Sequence, residues 1–277
     1  DAPNVHHLYY GDGEGAPGTL ITFFPYPGIV RGRKGSGQMT VTSFSIPPDS
    51  LGYWMKRLDK FKIQYSGPKT RFDNEEYIYF EDDDGLGIEL VANDGDYREG
   101  YNYGHIPRKH TIKGFYGVTL DQQSHERTAE FLMERLDHKL VKEKEGRLRF
   151  SPDGEIGGLV DIVTSGQTTG RQGGGTVHHV AFATADWDTQ LKVREDLTDA
   201  GINVTPVIDR QYFHSIYFRE PGGILFEVAT NPPGMAVDEN PENLGEKLKL
   251  PEWQENNREE IENNLETIRF DVEKFRD

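Results

Sequence analysis

Cysteine is absent from the 277 residues of the chain. No disulfide, thiolate metal site or cysteine nucleophile can exist, so any bound metal must be held by His, Asp or Glu. Basic charge is also scarce: 31 Lys and Arg stand against 47 Asp and Glu, a formal net charge of −16. So acidic a chain, with no basic run, repels a phosphate backbone or an anionic lipid surface, which argues against nucleic acid and membranes as partners. No apolar run reaches the roughly 18 residues needed to span a bilayer, and no signal-peptide pattern opens the chain, so the expected location is the cytoplasm. What is present is a globular balance of 35% hydrophobic and 28% charged residues, in a length that suits one large domain or two ordinary ones.

The chain repeats itself. Residues 212–230, YFHSIYFREPGGILFEVAT, read as an alternating strand, a Pro-Gly-Gly turn and a second strand that carries Glu227. YIYFEDDDGLGIELVA (77–92) repeats the pattern with Glu89 at that place, and RLRFSPDGEIGGLVDIVT (147–164) with Asp161. HLYYGDGEGAPGTLITFF (7–24) is a fourth copy, with Thr22 or Phe23 there. Three of these hairpins follow a strand and a helix-like segment: MTVTSFSI before SLGYWMKRLDKF, GFYGVTL before SHERTAEFLMERL, and TVHHVAFAT before WDTQLKVREDLTDAG. Asp49 or Ser50, Ser124 and Asp186 are the expected helix N-caps. The unit is βαβββ, and the fold class is α+β, repeated modules with the first incomplete. The expected boundaries are a module 1 remnant at 1–33, module 2 at 34–92, a linker at 93–113, module 3 at 114–165, module 4 at 166–232, and a tail with an acidic helix at 233–277. That helix places Ile261, Leu265, Ile268, Val272 and Phe275 on one apolar stripe, a docking face.

Strand alternation separates the two faces of module 4. Val180 and Phe182 fall on the helix-covered face, leaving His179 toward the concave one. On the last two strands Ile216, Phe218, Ile224, Phe226 and Val228 go under the helix, while Tyr217 and Glu227 join His179. One imidazole and one carboxylate thus converge, two members of the 2-His-1-carboxylate set that holds non-haem Fe(II) with open positions. The first strands of modules 2 and 3 contain no histidine, so module 4 is expected to pair with module 1, and module 2 with module 3. Module spacing puts the missing histidine about 30 residues upstream of Asp1. Glu89 and Asp161, lacking a histidine partner, read as features of the repeat. His6 and His7 read as wall or surface residues, His214 as pointing to the helix face or rim, and His105, His110, His125 and His138 as solvated.

The paired βαβββ modules resemble the vicinal oxygen chelate superfamily, a family resemblance which implies that such modules form two half-barrel domains. HHVAF, DRQYFHSIYFREPGGILFEVAT and HLYYGDGEGAPGTLITFFP resemble its ring-cleaving dioxygenases that act on hydroquinones. The resemblance implies an Fe(II) enzyme, with Mn(II) as the other metal, that takes a small aromatic substrate and O2 and opens the ring beside a hydroxyl-bearing carbon. It also implies His179 and Glu227 as metal ligands, and His178, Arg210 and Tyr217 as residues around the metal and substrate, with protonated His178 among the groups that stabilise negative oxygen. Alternation by itself puts His178 on the face away from the cup. Two alternatives stay open: a glyoxalase-type isomerase or lyase using Zn(II) or Ni(II), and a non-catalytic protein that binds an aromatic compound in the same cup. Ring substituents and assembly as a homo-oligomer also stay open.

Overall fold

A computed structural model describes residues 3–100, 104–269 and 273–276 of the chain. A short hairpin, β1 (Leu8–Tyr10) and β2 (Ile21–Phe23), comes first. Three βαβββ units follow. The first holds β3 (Gln38–Ile46), α1 (Leu51–Lys60), β4 (Tyr65–Arg71), β5 (Glu75–Glu81) and β6 (Gly87–Ala92). The second holds β7 (Gly114–Asp121), α2 (Glu126–Arg135), β8 (Lys139–Lys144), β9 (Arg147–Ser151) and β10 (Leu159–Val163). The third holds β11 (Val180–Thr184), α3 (Trp187–Asp199), β12 (Ile208–Asp209), β13 (Phe213–Arg219) and β14 (Leu225–Pro233). In each unit the first strand pairs in parallel with the last, and the remaining pairings are antiparallel hairpins. The helix crossover makes that parallel pair possible, and it sets first-strand side chains beside those of the carboxylate-bearing strand.

Antiparallel pairing of β3 with β7 fuses the first two units into one eight-stranded sheet, in the order β4-β5-β6-β3-β7-β10-β9-β8. The third unit keeps its own four-stranded sheet, β11-β14-β13-β12. The alternating strands bury one face against helices. Phe218, Phe226, Ile216 and Val228 pack with Leu197 of α3 and with Phe131 and Leu132 of α2. Phe131 meets both Phe218 and Phe226, at ring-centroid distances of 5.8 and 6.5 Å. Each phenylalanine so buried contributes roughly 1.5–3 kcal/mol, and together they lock the small sheet against the second unit.

The turn from β13 to β14 is held from outside its own sheet. Buried Glu220 accepts hydrogen bonds from Gln122 Nε2 at 3.1 Å, Thr128 Oγ1 at 2.8 Å and the backbone N–H groups of Gly222 and Ile224, each at 2.8 Å. A Cβ on Gly222 would come within 2.3 Å of the Gln122 amide and displace it, and Gly223 takes φ +97°, the left-handed region that favours glycine.

Several expectations are corrected. Asp186 does cap α3, accepting from Thr189 N–H at 2.8 Å, but the N-cap position of α2 falls to His125 without a side-chain bond. Ser50 holds the N-cap position of α1 as expected, but its hydroxyl goes to Lys109 O and His110 Nδ1 instead of capping the helix. Among the described residues the closing α-helix is α4 (Arg258–Asn264); Leu265 leaves it with extended backbone (φ −74°, ψ 137°), after two asparagines of poor helix propensity. Ile261 is buried, Ile268 and Phe275 are exposed, and Val272 lies outside the described residues. Two histidines expected in solvent are packed: His138 is buried edge-on to Phe182, and His110 stacks on Tyr53 at 4.4 Å.

Candidate metal centre

The site grows from the parallel pairing of β11 with β14, whose register sets Ala181 beside Glu227. His179 lies two residues earlier, just ahead of the strand, on the same face as Ala181. From there its Nε2 reaches Glu227 Oε2 at 2.7 Å. Glu227 is 3% exposed while its neighbours Phe226 and Val228 point into the core, so the carboxylate stands on the concave face.

Glu227 is surrounded by donors. Tyr217, its cross-strand partner on β13, donates its hydroxyl to Oε1 at 2.8 Å, and the Ser215 hydroxyl donates to the same oxygen. Burial by itself would raise the pKa of Glu227, but the hydrogen bond and charge of His179 and the two hydroxyls together hold it below the ordinary carboxylate range. The carboxylate therefore stays ionised. Burial first, then the charge and hydrogen bond of Glu227, push the Tyr217 phenol up to about 12, so it keeps its proton. Arg210 Nε donates to the Tyr217 oxygen at 3.3 Å, and its guanidinium carbon lies 5.2 Å from the centre of that ring.

His178 is exposed, and its Nδ1 lies 2.9 Å from His179 Nδ1. Partial desolvation of the ring, then the positive charges of His179 and Arg219, lower its pKa, which works against the expected protonated His178. His214 meets Trp187 of α3 edge-on at 4.7 Å, on the helix side.

Ser215 and Tyr9 were not singled out from the pattern. His7, read as a wall or surface residue, joins Tyr9 through a 2.8 Å hydrogen bond between the Tyr9 hydroxyl and His7 Nδ1. Burial above all, with the charges of Arg210 and His179, lowers His7 to about 4, so it is a neutral wall residue stacked on Phe24 at 4.0 Å. The signal was in the repeat: Tyr9 pairs with Thr22 as Tyr217 pairs with Glu227, which places His7 at the position of Ser215 and decides for Thr22 over Phe23 as the carboxylate's counterpart. His6 points elsewhere, its Nε2 on Glu266 O at 2.8 Å.

An imidazole nitrogen and an ionised carboxylate meeting in a cup, backed by hydroxyl donors, fit two positions of a non-haem metal's ligand set. Among the described residues no third His, Asp or Glu joins them.

Residues 118–228 match the family model for the Glyoxalase/Bleomycin resistance protein/Dioxygenase superfamily. The chain belongs to this superfamily, and within it to the ring-cleaving dioxygenases. It is 40% identical over 265 residues to MhqO of Bacillus subtilis (strain 168), a ring-cleaving dioxygenase by assignment, covering 96% of this chain and 84% of that protein. It is 32% identical to the chlorohydroquinone/hydroquinone 1,2-dioxygenase of Sphingobium indicum, covering 93% of this chain and 82% of that protein. A crystal structure of a dioxygenase-assigned protein from Bacillus subtilis subsp. subtilis str. 168 superposes with a TM-score of 0.91 at 40% identity, over 98% of this chain and 86% of that one. Glyoxalase I from Zea mays shares the α+β fold of curled half-barrel sheets alone, with a TM-score of 0.59 at 16% identity over 83% of this chain and 81% of that one. No described helix is long and apolar enough to cross a membrane.

Proposed function

We propose that this dioxygenase uses non-haem Fe(II) and O2 to open hydroquinone-type aromatic rings, with His179 and Glu227 as metal ligands. The observation that carries the reading is the 2.7 Å meeting of His179 Nε2 and Glu227 Oε2 beside Tyr217 and Arg210. The named activity of the Sphingobium indicum relative supplies the substrate class. When bound, Fe(II) acidifies a coordinated phenol and carries electrons between the ring and O2.

The chain's own side chains do the rest. Glu227, held ionised in a buried setting, offers a full negative charge to a cation. His178 and the Ser215 and Tyr217 hydroxyls orient the ligand pair. The Arg210 guanidinium stands over the Tyr217 phenol. The guanidinium offers a donor edge for an anionic oxygen of the substrate. His7 and Phe24, stacked and neutral, give the opposite wall an aromatic surface.

The test is metal analysis and oxygen uptake on the full-length protein. Iron, with one O2 consumed per hydroquinone and a ring-opened product carrying both oxygen atoms, is the expected result. Tight nickel or zinc with isomerase activity and no oxygen uptake would overturn it in favour of the glyoxalase-type reaction. Aromatic binding with no metal would overturn it in favour of a sequestering protein.

A further inference from the structure

Arg210 sits in a turn whose shape is imposed from outside the metal pair. Residues 209–212 join β12 to β13, and Gln211 within them has φ +68°. A residue with a side chain adopts that left-handed backbone only where its surroundings over-determine it. Two carboxylates do so here. Asp209 Oδ1 accepts from Gln211 N–H at 2.7 Å. Asp238 Oδ2 accepts from the Gln211 side-chain amide and from the Tyr212 hydroxyl, the latter at 3.2 Å. Backbone bonds close the turn: Arg210 N–H to Phe213 O, Tyr212 N–H to Arg210 O, and Gly234 N–H to Tyr212 O, each 2.9 Å.

Asp238 lies beyond the end of β14, the strand that carries Glu227. One continuous segment therefore bears the metal-side carboxylate at one end and the hold on the Arg210 turn at the other. Among the described residues the hydrogen bonds of Asp238 all go to the two residues that follow Arg210. Tyr212, so anchored, also stands edge-on to Tyr9 at 5.8 Å, which ties the turn to the opposite wall. A guanidinium on a long, flexible stem acts at a fixed point only if its backbone is fixed.

We propose that Asp238 is a positioning residue for Arg210: by holding Gln211 and Tyr212 it keeps the guanidinium on the Tyr217 phenol. The inference rests on the reading of Arg210 as a substrate-side group. It assigns to a tail residue, outside the metal pair, part of the site's affinity for a dihydroxylated ring.

The experiment is a double-variant cycle on the full-length, iron-loaded protein, reading the anaerobic dissociation constant for hydroquinone, iron per chain, kcat and KM, and amide exchange across residues 209–213. Asp238→Leu is expected to weaken hydroquinone binding roughly tenfold, to speed amide exchange in the turn, and to leave iron per chain unchanged. On an Arg210→Met background the same change is expected to cost less than about twofold, because the group it positions is already gone. Asp238→Asn keeps an acceptor oxygen and the side-chain volume; a smaller loss, again suppressed on the Arg210→Met background, is expected and reads the cycle should the leucine variant not fold. Wild-type affinity in Asp238→Leu, or equal losses on both backgrounds, would overturn the proposal. Wild-type affinity in Arg210→Met would overturn both it and the reading of Arg210. An iron-loaded wild type that binds hydroquinone but consumes no O2 counts against the proposed function alone, since the cycle is read through binding.

Discussion

The small sheet and the eight-stranded sheet present the same scaffold position three times, with opposite solutions. Glu227, Glu89 and Asp161 are equivalent carboxylates, each facing a first-strand neighbour: Ala181, Ser43 and Thr119. Two residues before those neighbours stand His179, Val41 and Gly117. At Gly117 even a Cβ would come within 2.5 Å of Leu159 O. Across the hairpin the partners are Tyr217, Tyr79 and Arg149. Where histidine is missing, arginine has come in. Arg71 binds Glu89 at 2.8 Å, and Arg147 and Arg149 bind Asp161 at 2.7–2.9 Å. Glu75 joins the same buried set, bonded by Arg71, by Arg149 and by Tyr116 at 2.5 Å. Three guanidinium groups thus balance three carboxylates. The eight-stranded sheet carries its cation in its own sequence. Glu227 is met instead by His179 and by the Ser215 and Tyr217 hydroxyls, the arrangement that the proposed function assigns to a cation from solution.

The comparison breaks most visibly at Arg149. Arg149→Met leaves Glu75 and Asp161 buried with less compensation and should cost about 3–5 kcal/mol of stability, read by denaturant unfolding, while the folded fraction keeps its iron. Tyr217→Phe acts on the other sheet: turnover should fall roughly 100-fold with iron content and melting temperature nearly unchanged. Unchanged turnover would remove Tyr217 from the chemistry. Glu89→Gln, at the position equivalent to Glu227, should destabilise by about 1–3 kcal/mol and leave metal content at its wild-type value. The smallest effect lies in acid. Burial would raise Glu75, but the Arg149 hydrogen bond and the Arg71 charge bring it from 4.5 down to about 2. Its contribution is therefore complete above pH 4.5 and is lost as pH falls from there toward 2. Melting temperature should drop across that window in the wild type, and less steeply in Arg149→Met.

Much of this was legible from period and repeat. Alternation put Phe226 and Val228 under the helix and Glu227 on the other face, and the shared Gly turns exposed the modules, because both signals are local. The arginine set was not legible: Arg149 and Glu75 are 74 residues apart and meet only once β3 pairs with β7. Nor was the role of Asp238, which depends on where the tail returns. The apolar stripe of 261–275 suggested a long helix, but Asn263 and Asn264 end it where packing offers no compensation. His138 was misread because a polar residue's burial follows from the neighbour it receives, here Phe182 of another unit.

The most direct test is iron per chain in three full-length proteins prepared side by side: wild type, Glu227→Gln and Glu89→Gln. One iron in the wild type and in Glu89→Gln, with none in a folded Glu227→Gln, is the predicted result. Iron retained by Glu227→Gln, or lost from Glu89→Gln, would contradict it.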